Sequence, residues 1–450
     1  MSAPRAATAT GAIRSPRRAV ATVVAIVFVD LLGFGVVIPI LPFYVRSFGV
    51  SDVFIGLLAA SYSLMQFGFA PVLGRVSDER GRRPVILLSL AGSAVAWTVF
   101  GLAGEAEAVL GVAGAVATLF CSRMLAGAMG GNIAAAQAYV ADVTPRERRA
   151  GALGLIGASF ALGFIFGPAI GGAFASDPVV AAADRLLPAF VPTTRFSLPS
   201  FAAAGLSLTS LVLAVLFLEE TERTRTATRG GTFVAQFREA LSTSGLRDLV
   251  VAFFLVSLAF SGVQVMFIPF VADVYGYDAS QAAALLTYVG VLGVVNQGVL
   301  VGRLSRRYDD RSLALVGAGV LALALAGIPS APALGRALFG GLTPEGLVSL
   351  TPELVALLVV LACLSFGNGL LNVSLATLVS TSTGEESQGS AFGVTQGAAS
   401  LGRTVGPPAM ALLYAAVAVW SPFVVGAALV VPTVALLVRV ARGPTTTTTG

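Results

Sequence analysis

The chain contains no histidine and no lysine, and only two cysteines in 450 residues. All 28 of its basic residues are therefore arginine. Without lysine there is no P-loop lysine to hold nucleotide phosphates, which excludes that route to ATP hydrolysis. Without histidine, and with only Cys121 and Cys363, haem, iron–sulfur and zinc centres lack their usual ligands. Neither a cofactor nor a metal is expected. Both cysteines fall in apolar stretches and are expected to be packing residues. Charge is scarce too, at 11% of residues against about 25% in soluble proteins. In its place the chain is 56% hydrophobic, with a mean hydropathy of +0.88. No single soluble core of this length buries so much apolar surface, so the solvent must be lipid. The apolar runs are long, contain Gly and Pro, and lack the alternation of barrel strands, so the spanning structure is helical.

Twelve spans are expected, near 19–45, 53–74, 84–104, 109–141, 148–175, 197–218, 247–271, 279–302, 312–329, 353–380, 388–414 and 420–440. Each has about the 17–20 residues needed to cross hydrocarbon, and 312–329 is the shortest. With the N-terminus inside, only Arg46, Arg185, Arg195 and Arg336 fall in outer loops, and only Arg123 and Arg403 fall within spans. The remaining arginines lie on the inner side, a clear positive-inside pattern. The net charge of +5 therefore reports topology and contact with anionic lipid heads, and no nucleic acid is expected as a partner. The domain reading is a cytoplasmic tail at 1–18, a six-helix bundle at 19–218, a charged cytoplasmic linker at 219–246, a second bundle at 247–440 and a cytoplasmic tail at 441–450. A short surface helix is expected at Phe233 to Leu241, and the Thr-rich tail reads as disordered. Residues 1–18 lack a following cleavage site, so the first span reads as retained.

Between the second and third spans lies Gly74-Arg75-Val76-Ser77-Asp78-Glu79-Arg80-Gly81-Arg82-Arg83, a charged hinge between apolar segments. It returns, weakened, about half a chain later as Gly302-Arg303-Leu304-Ser305-Arg306-Arg307. A second echo links Leu162-Gly163 and Gly167-Pro168 to Leu401-Gly402 and Gly406-Pro407. Matched features in two apolar halves indicate a duplicated bundle, the architecture of secondary transporters.

These motifs resemble the major facilitator superfamily. The hinge is similar to its signature loop, and Arg123-Met124-Leu125-Ala126-Gly127 to its second motif. Gly154, Gly163, Gly167, Pro168, Gly171 and Gly172 resemble the antiporter motif of its twelve-span drug:proton antiporters. Asp30-Leu31-Leu32-Gly33 with Pro39 and Pro42 also fits those antiporters. Tyr62 to Phe67 and Tyr139 to Asp142 are similar to bacterial tetracycline and multidrug efflux pumps. The tetracycline pumps carry a histidine in the eighth span, where this chain reads Gly293-Val294-Val295-Asn296-Gln297. That departure weighs against a tetracycline substrate and leaves drug efflux. The resemblance implies two pseudo-symmetric six-helix bundles, alternating access, and export of small amphipathic or lipophilic compounds in exchange for protons. It also implies that Asp78, Arg82 and Asp142 form a cytoplasmic charge lock, within a gating hinge that includes Gly74, Gly81 and Arg83.

Asp30 stands mid-span, where an acid costs on the order of 2.5–3.5 kcal/mol on insertion scales. It reads either as the proton carrier or as an acid that pins two helices. Arg123 stays charged, so it would tune Asp30, meet an anionic part of the substrate, or form a structural ion pair. Arg403 reads as a substrate or gate contact in the second half. The Gly-Pro run of the fifth span is expected to pack on a helix of the opposite half. Polar cavity candidates are Gln66, Asn132, Gln137, Gln264, Asn296, Gln297, Asn368, Asn372 and Gln396. Phe34, Phe67, Phe164, Phe260 and Phe366 supply an apolar wall. The expected partners are protons, a small-molecule substrate and the bilayer of the cell membrane, with the chain acting as a monomer. A proton-linked uptake carrier and a non-transporting membrane protein are the other readings. No nucleophile paired with a base points to an enzyme.

Overall fold

The computed structural model describes residues 15–220, 238, 244–341, 351–382 and 388–440, excepting a few side chains, Gln297 among them. Most of the expected N-tail, the surface helix at Phe233 to Leu241 apart from Arg238, and the C-terminal tail lie outside the described residues.

The first span is α1 (Pro16–Val37) followed by α2 (Leu41–Ser47). The break between them falls at Pro39, which lacks an N–H and restricts the residue before it. α3 (Val53–Arg80) and α4 (Arg82–Gly101) are separated by Gly81 alone, whose φ of +110° suits only glycine. α5 (Ala103–Ala128) and α6 (Asn132–Val143) form the fourth span, broken around Gly130 and Gly131. α7 (Arg146–Phe174), the short amphipathic α8 (Asp177–Leu186) and α9 (Ser197–Phe217) complete the first half.

The second half begins with α10 (Ser244–Tyr275) and α11 (Ala279–Val295). α11 runs through a π-helical turn at Asn296–Val301 into α12 (Gly302–Leu304). It continues with α13 (Asp310–Phe339), α14 (Pro352–Thr381), α15 (Gln388–Ala416) and α16 (Ser421–Val440). Joined across their breaks, eleven spans among the described residues are long and apolar enough to cross a membrane. The 29-residue α15 is also long enough, but Arg403 and its glycines and prolines make it too polar to join that count. With it, the chain is an all-α, multi-pass membrane protein with two pseudo-symmetric bundles.

The ninth span is longer than the expected 312–329: α13 continues through Pro329 and Pro332. A proline ends a helix most readily where water takes up the freed carbonyl. Packed among neighbouring helices, the break is tolerated. Cys121 and Cys363 are exposed rather than packed inside. Leu88, Val212, Leu216 and Leu323 are exposed as well, apolar groups suited to lipid.

Small residues set the bundle geometry. A Cβ on Gly35 of α1 would lie 2.6 Å from Gly163 O and 3.0 Å from Gly167 Cα of α7. In the second half, a Cβ on Gly402 of α15 would lie 2.8 Å from Phe254 O and Leu258 N of α10. The echo between the two motifs is thus a repeated contact: the fifth span on the first, and the eleventh on the seventh. This corrects the expectation that the Gly-Pro face packs on the opposite half. Gly163, Gly167 and Gly171 face Leu31, Gly35 and Val36 of their own half, and only Gly172 faces Ser280 and Ala283 of α11.

The halves meet along α3 with α15 and α7 with α11. Their tight contacts lie toward the end opposite the 74–83 hinge. There Gly56 abuts Pro407 and Ala411, and Ser280 Oγ donates to Gly172 O at 2.6 Å. At the hinge end a Cβ on Gly68, Gly74, Gly154, Gly157 or Gly393 would meet nothing within 4 Å. The bundles are closed at one end and splayed at the basic end.

Candidate functional site

Between the splayed halves is a cavity with two lobes that share Phe160, Phe164 and Arg403. Their volumes are about 1000 and 760 Å³. The first lobe carries Asp30, Phe34, Gln66, Asn132, Gln137 and Gln396. The second carries Phe260, Gln264, Asn368 and Asn372. Asn296 does not line either lobe: it is buried and donates to Ser365 Oγ at 3.3 Å. Phe366 packs against Val301, Leu313 and Leu370, away from the cavity. Phe67 and Phe164 lie on the wall as expected from the sequence.

Asp30 faces the first lobe from the middle of α1. Its partners are neutral: Asn132 Nδ2 donates to Oδ2 at 2.6 Å, and Ser207 Oγ donates to Oδ1 at 3.1 Å. The break in the fourth span accounts for the first contact. Gly127 fits against the Tyr62 backbone and Gly131 against Leu73, so α5 and α6 lie close on α3 and Asn132 opens α6 at the acid. Ser207 on α9 escaped the sequence reading, because a serine in an apolar helix gives no signal until its neighbour is known.

Arg123 does not pair with Asp30. Its guanidinium carbon lies 4.7 Å from the Tyr62 ring centroid, 5.5 Å from Trp97 and 5.9 Å from Phe34. The residue is 7% exposed, and its Nε has no hydrogen-bond partner. Cation–π contacts of this kind contribute roughly 0.5–2 kcal/mol each, more when dry. Arg403 projects from α15 into both lobes and donates to Ser400 Oγ at 2.8 Å. Tyr62 stands within the field of Asp30, Arg123 and Arg403 together.

At the basic end, Arg82 Nε meets Asp142 Oδ2 at 3.0 Å, its Nη1 pairs with Asp78, and the same nitrogen reaches Ser77 Oγ at 3.2 Å. Arg82 N donates to Glu220 Oε1 at 2.9 Å, and Arg83 Nη2 to Val215 O at 2.9 Å. Tyr139 OH donates to Glu219 O at 2.9 Å. The hinge is thus tied to α6 and to the end of α9, all in its own half. In this conformation Asp78 is 66% exposed on its side chain, and among the described residues its ion pair is with Arg82 of its own half. The second-half hinge is plainer: Asp309 caps α13 by accepting from Ser312 N at 3.0 Å, which holds its carboxyl below the usual range.

The closed end holds a network that sequence reading missed. Arg46 on α2 meets Asp52 with Nε at 2.7 Å and Nη2 at 2.8 Å. It also meets Asp273 of α10 with Nη1 at 2.7 Å and Nη2 at 2.8 Å. Tyr414 OH of α15 donates to Asp273 at 2.5 Å. One arginine thereby joins two acids from different halves, a pairing no local spacing reveals.

Two helical bundles around a central cavity, sealed at one end, define a membrane transporter rather than an enzyme. The Major Facilitator Superfamily model matches residues 23–343, and the chain belongs to that superfamily. It is 30% identical over 409 residues to the class E tetracycline resistance protein of Escherichia coli, spanning 89% of this chain and 88% of the relative. It is 26% identical over 384 residues to Multidrug resistance protein 1 of Bacillus subtilis (strain 168), spanning 84% and 85%. A solved bacterial homolog of the human lysosomal transporter Spinster, inward-facing and occupied, superposes with a TM-score of 0.73 at 15% identity, covering 96% of this chain and 98% of that one.

Proposed function

We propose that this chain is a proton-coupled exporter that moves small amphipathic or lipophilic compounds by alternating access. The observation that carries this reading is Asp30: a lone acid at mid-span, held by two neutral donors, on the wall of a cavity sealed at one end. The arginine distribution supports placing the basic end in the cytoplasm, so the conformation faces inward. Residues 19–218 and 247–440 act as the two rocking bodies, joined by the linker at 219–246, and one chain forms a complete cavity as a monomer in the cell membrane. A proton reaching Asp30 from outside would release substrate there and return the cavity inward. One charge across ~150 mV supplies roughly 3.5 kcal/mol, on the order of several hundredfold in concentration. At the hinge, Asp78, Arg82 and Asp142 would bear on the opposite half only once the inner end closes.

The test uses purified protein in liposomes with an internal pH dye and an imposed proton gradient. A panel of drugs of different charge is added in turn. At least one is expected to trigger proton flux that Asp30→Asn abolishes. Full proton-coupled transport by Asp30→Asn would end the assignment, and accumulation of substrate in the direction of the proton would make the chain an uptake carrier.

A further inference from the structure

The charges on the cavity wall are few and unbalanced. Among the described residues that line its two lobes, only Asp30 and Arg403 are charged. Asp30 already accepts one hydrogen bond on each oxygen, from Asn132 and Ser207. Arg403 is different. A guanidinium presents five N–H donors in a planar fork, and here, among the described residues, its hydrogen bond goes to Ser400 Oγ, a single turn away on its own helix. Behind the wall lies a second cation, Arg123, almost wholly buried, with an unpartnered Nε and no acid in ion-pair contact among the described residues. It touches Tyr62, Trp97 and Phe34, the rings that line the first lobe. Neither arginine pairs with Asp30. Even with Asp30 ionised, two arginines face one carboxylate, and in a low-dielectric wall an uncompensated cation raises the potential strongly.

We infer that the compounds this cavity takes are amphipathic organic anions: an aromatic or apolar body carrying a carboxylate or similar oxyanion. Arg403 makes the direct contact with the anionic group, by the bidentate fork that matches carboxylate geometry. Arg123 adds positive potential from behind the rings. Phe34, Tyr62, Trp97 and Phe164 receive the apolar body, for which aromatic walls are suited. A lipophilic cation of the same size would meet two like charges, with only an already occupied acid to answer them. The position of Arg403 in both lobes puts the anionic group at the junction between the halves, where its hold changes as they rock.

This inference rests on reading the cavity as the substrate site, but its test needs no proton gradient. The chain has two tryptophans, Trp97 on the cavity wall and the exposed Trp420 beyond α15. In a Trp420→Phe protein, Trp97 becomes the sole reporter. Three probes with one quenching body are titrated: nitrophenylbutyrate, its primary amide and the matching butylamine. The carboxylate is expected to bind about tenfold or more tighter than the amide, the span of a charge-assisted hydrogen bond, with the amine weakest. Arg403→Gln should bring the carboxylate's affinity down to that of the amide, which still quenches Trp97. Arg403→Lys should keep part of the preference. If the amine binds tightest, if Arg403→Gln leaves the ranking unchanged, or if none of the three quenches Trp97 in folded protein, the inference is wrong. A cavity that prefers the anion while protons fail to move would overturn the antiport reading alone. Proton-driven export with a preference for the amine would overturn this one alone.

Discussion

Asp30 and its two donors form the smallest unit on which function turns. The donors differ in what they contribute. Asn132 is 5% exposed and approaches to 2.6 Å, whereas Ser207 lies at 3.1 Å. Hydrogen bonds to charged groups contribute roughly 1.5–3 kcal/mol. Asn132→Leu, which leaves Oδ2 without that donor, is therefore expected to slow substrate-driven proton flux about tenfold or more in liposomes, with Ser207→Ala the milder change. Equal rates in all three proteins would remove Asn132 from the mechanism. At the hinge, Asp78→Asn keeps the bundle's own contacts through Arg82 and Asp142. It is expected to leave the amount of protein in the membrane unchanged and to lower turnover several-fold. Undiminished transport by this variant would sink the charge lock.

Helices separate the motif glycines into two groups that look alike in sequence. Gly35, Gly163, Gly167 and Gly171 are packed backbone against backbone between α1 and α7, while Gly74 and Gly154 face open space. Overpacking costs about 1–3 kcal/mol or more where backbone must move. Gly35→Val is expected to lower the midpoint of thermal unfolding in detergent by several degrees and to reduce folded yield. Gly154→Ala should leave the midpoint unchanged. A reversed order would show that the close contact carries no stability. The multi-pass helical class, the basic end and the duplicated motifs were legible in the sequence because hydropathy, arginine placement and glycine spacing are local signals. Partners were not. Ser207, Glu220 and the packing of Phe366 away from the cavity depend on which helix lies opposite, and so do the contacts of the fifth-span glycines. α13 outran its expected end because the usual penalty for Pro329 presumes water, and the π-turn at Asn296–Val301 has no residue pattern of its own.

At the scale of the whole molecule, closure at one end depends on few direct polar contacts. Arg46, Asp52, Asp273 and Tyr414 bridge the halves, and Arg46 is only partly exposed, at 25% of its side chain. Half-buried networks of this kind exceed the ~0–1 kcal/mol of an exposed pair. Arg46→Gln leaves Asp273 and Asp52 without their shared cation. It is expected to shift the population toward opening at this end. Spin labels at positions 187 and 420 would then report a longer mean separation than in the parent protein. An unchanged distance distribution would assign closure to the apolar contacts of α3 with α15 and α7 with α11 alone.

The polarity of α15 has a consequence for how the chain is made. Among the described residues eleven spans are apolar enough to favour lipid on their own hydropathy, whereas the helix bearing Arg403 is more polar. An arginine near mid-bilayer costs on the order of 2.5–3.5 kcal/mol on insertion scales. Contacts with earlier spans, Gly402 and Gly406 against α10 and Pro407 against Gly56 of α3, are in place to offset it. The eleventh span is therefore expected to insert less readily alone than behind the earlier spans, a difference that an insertion assay on the isolated helix would read.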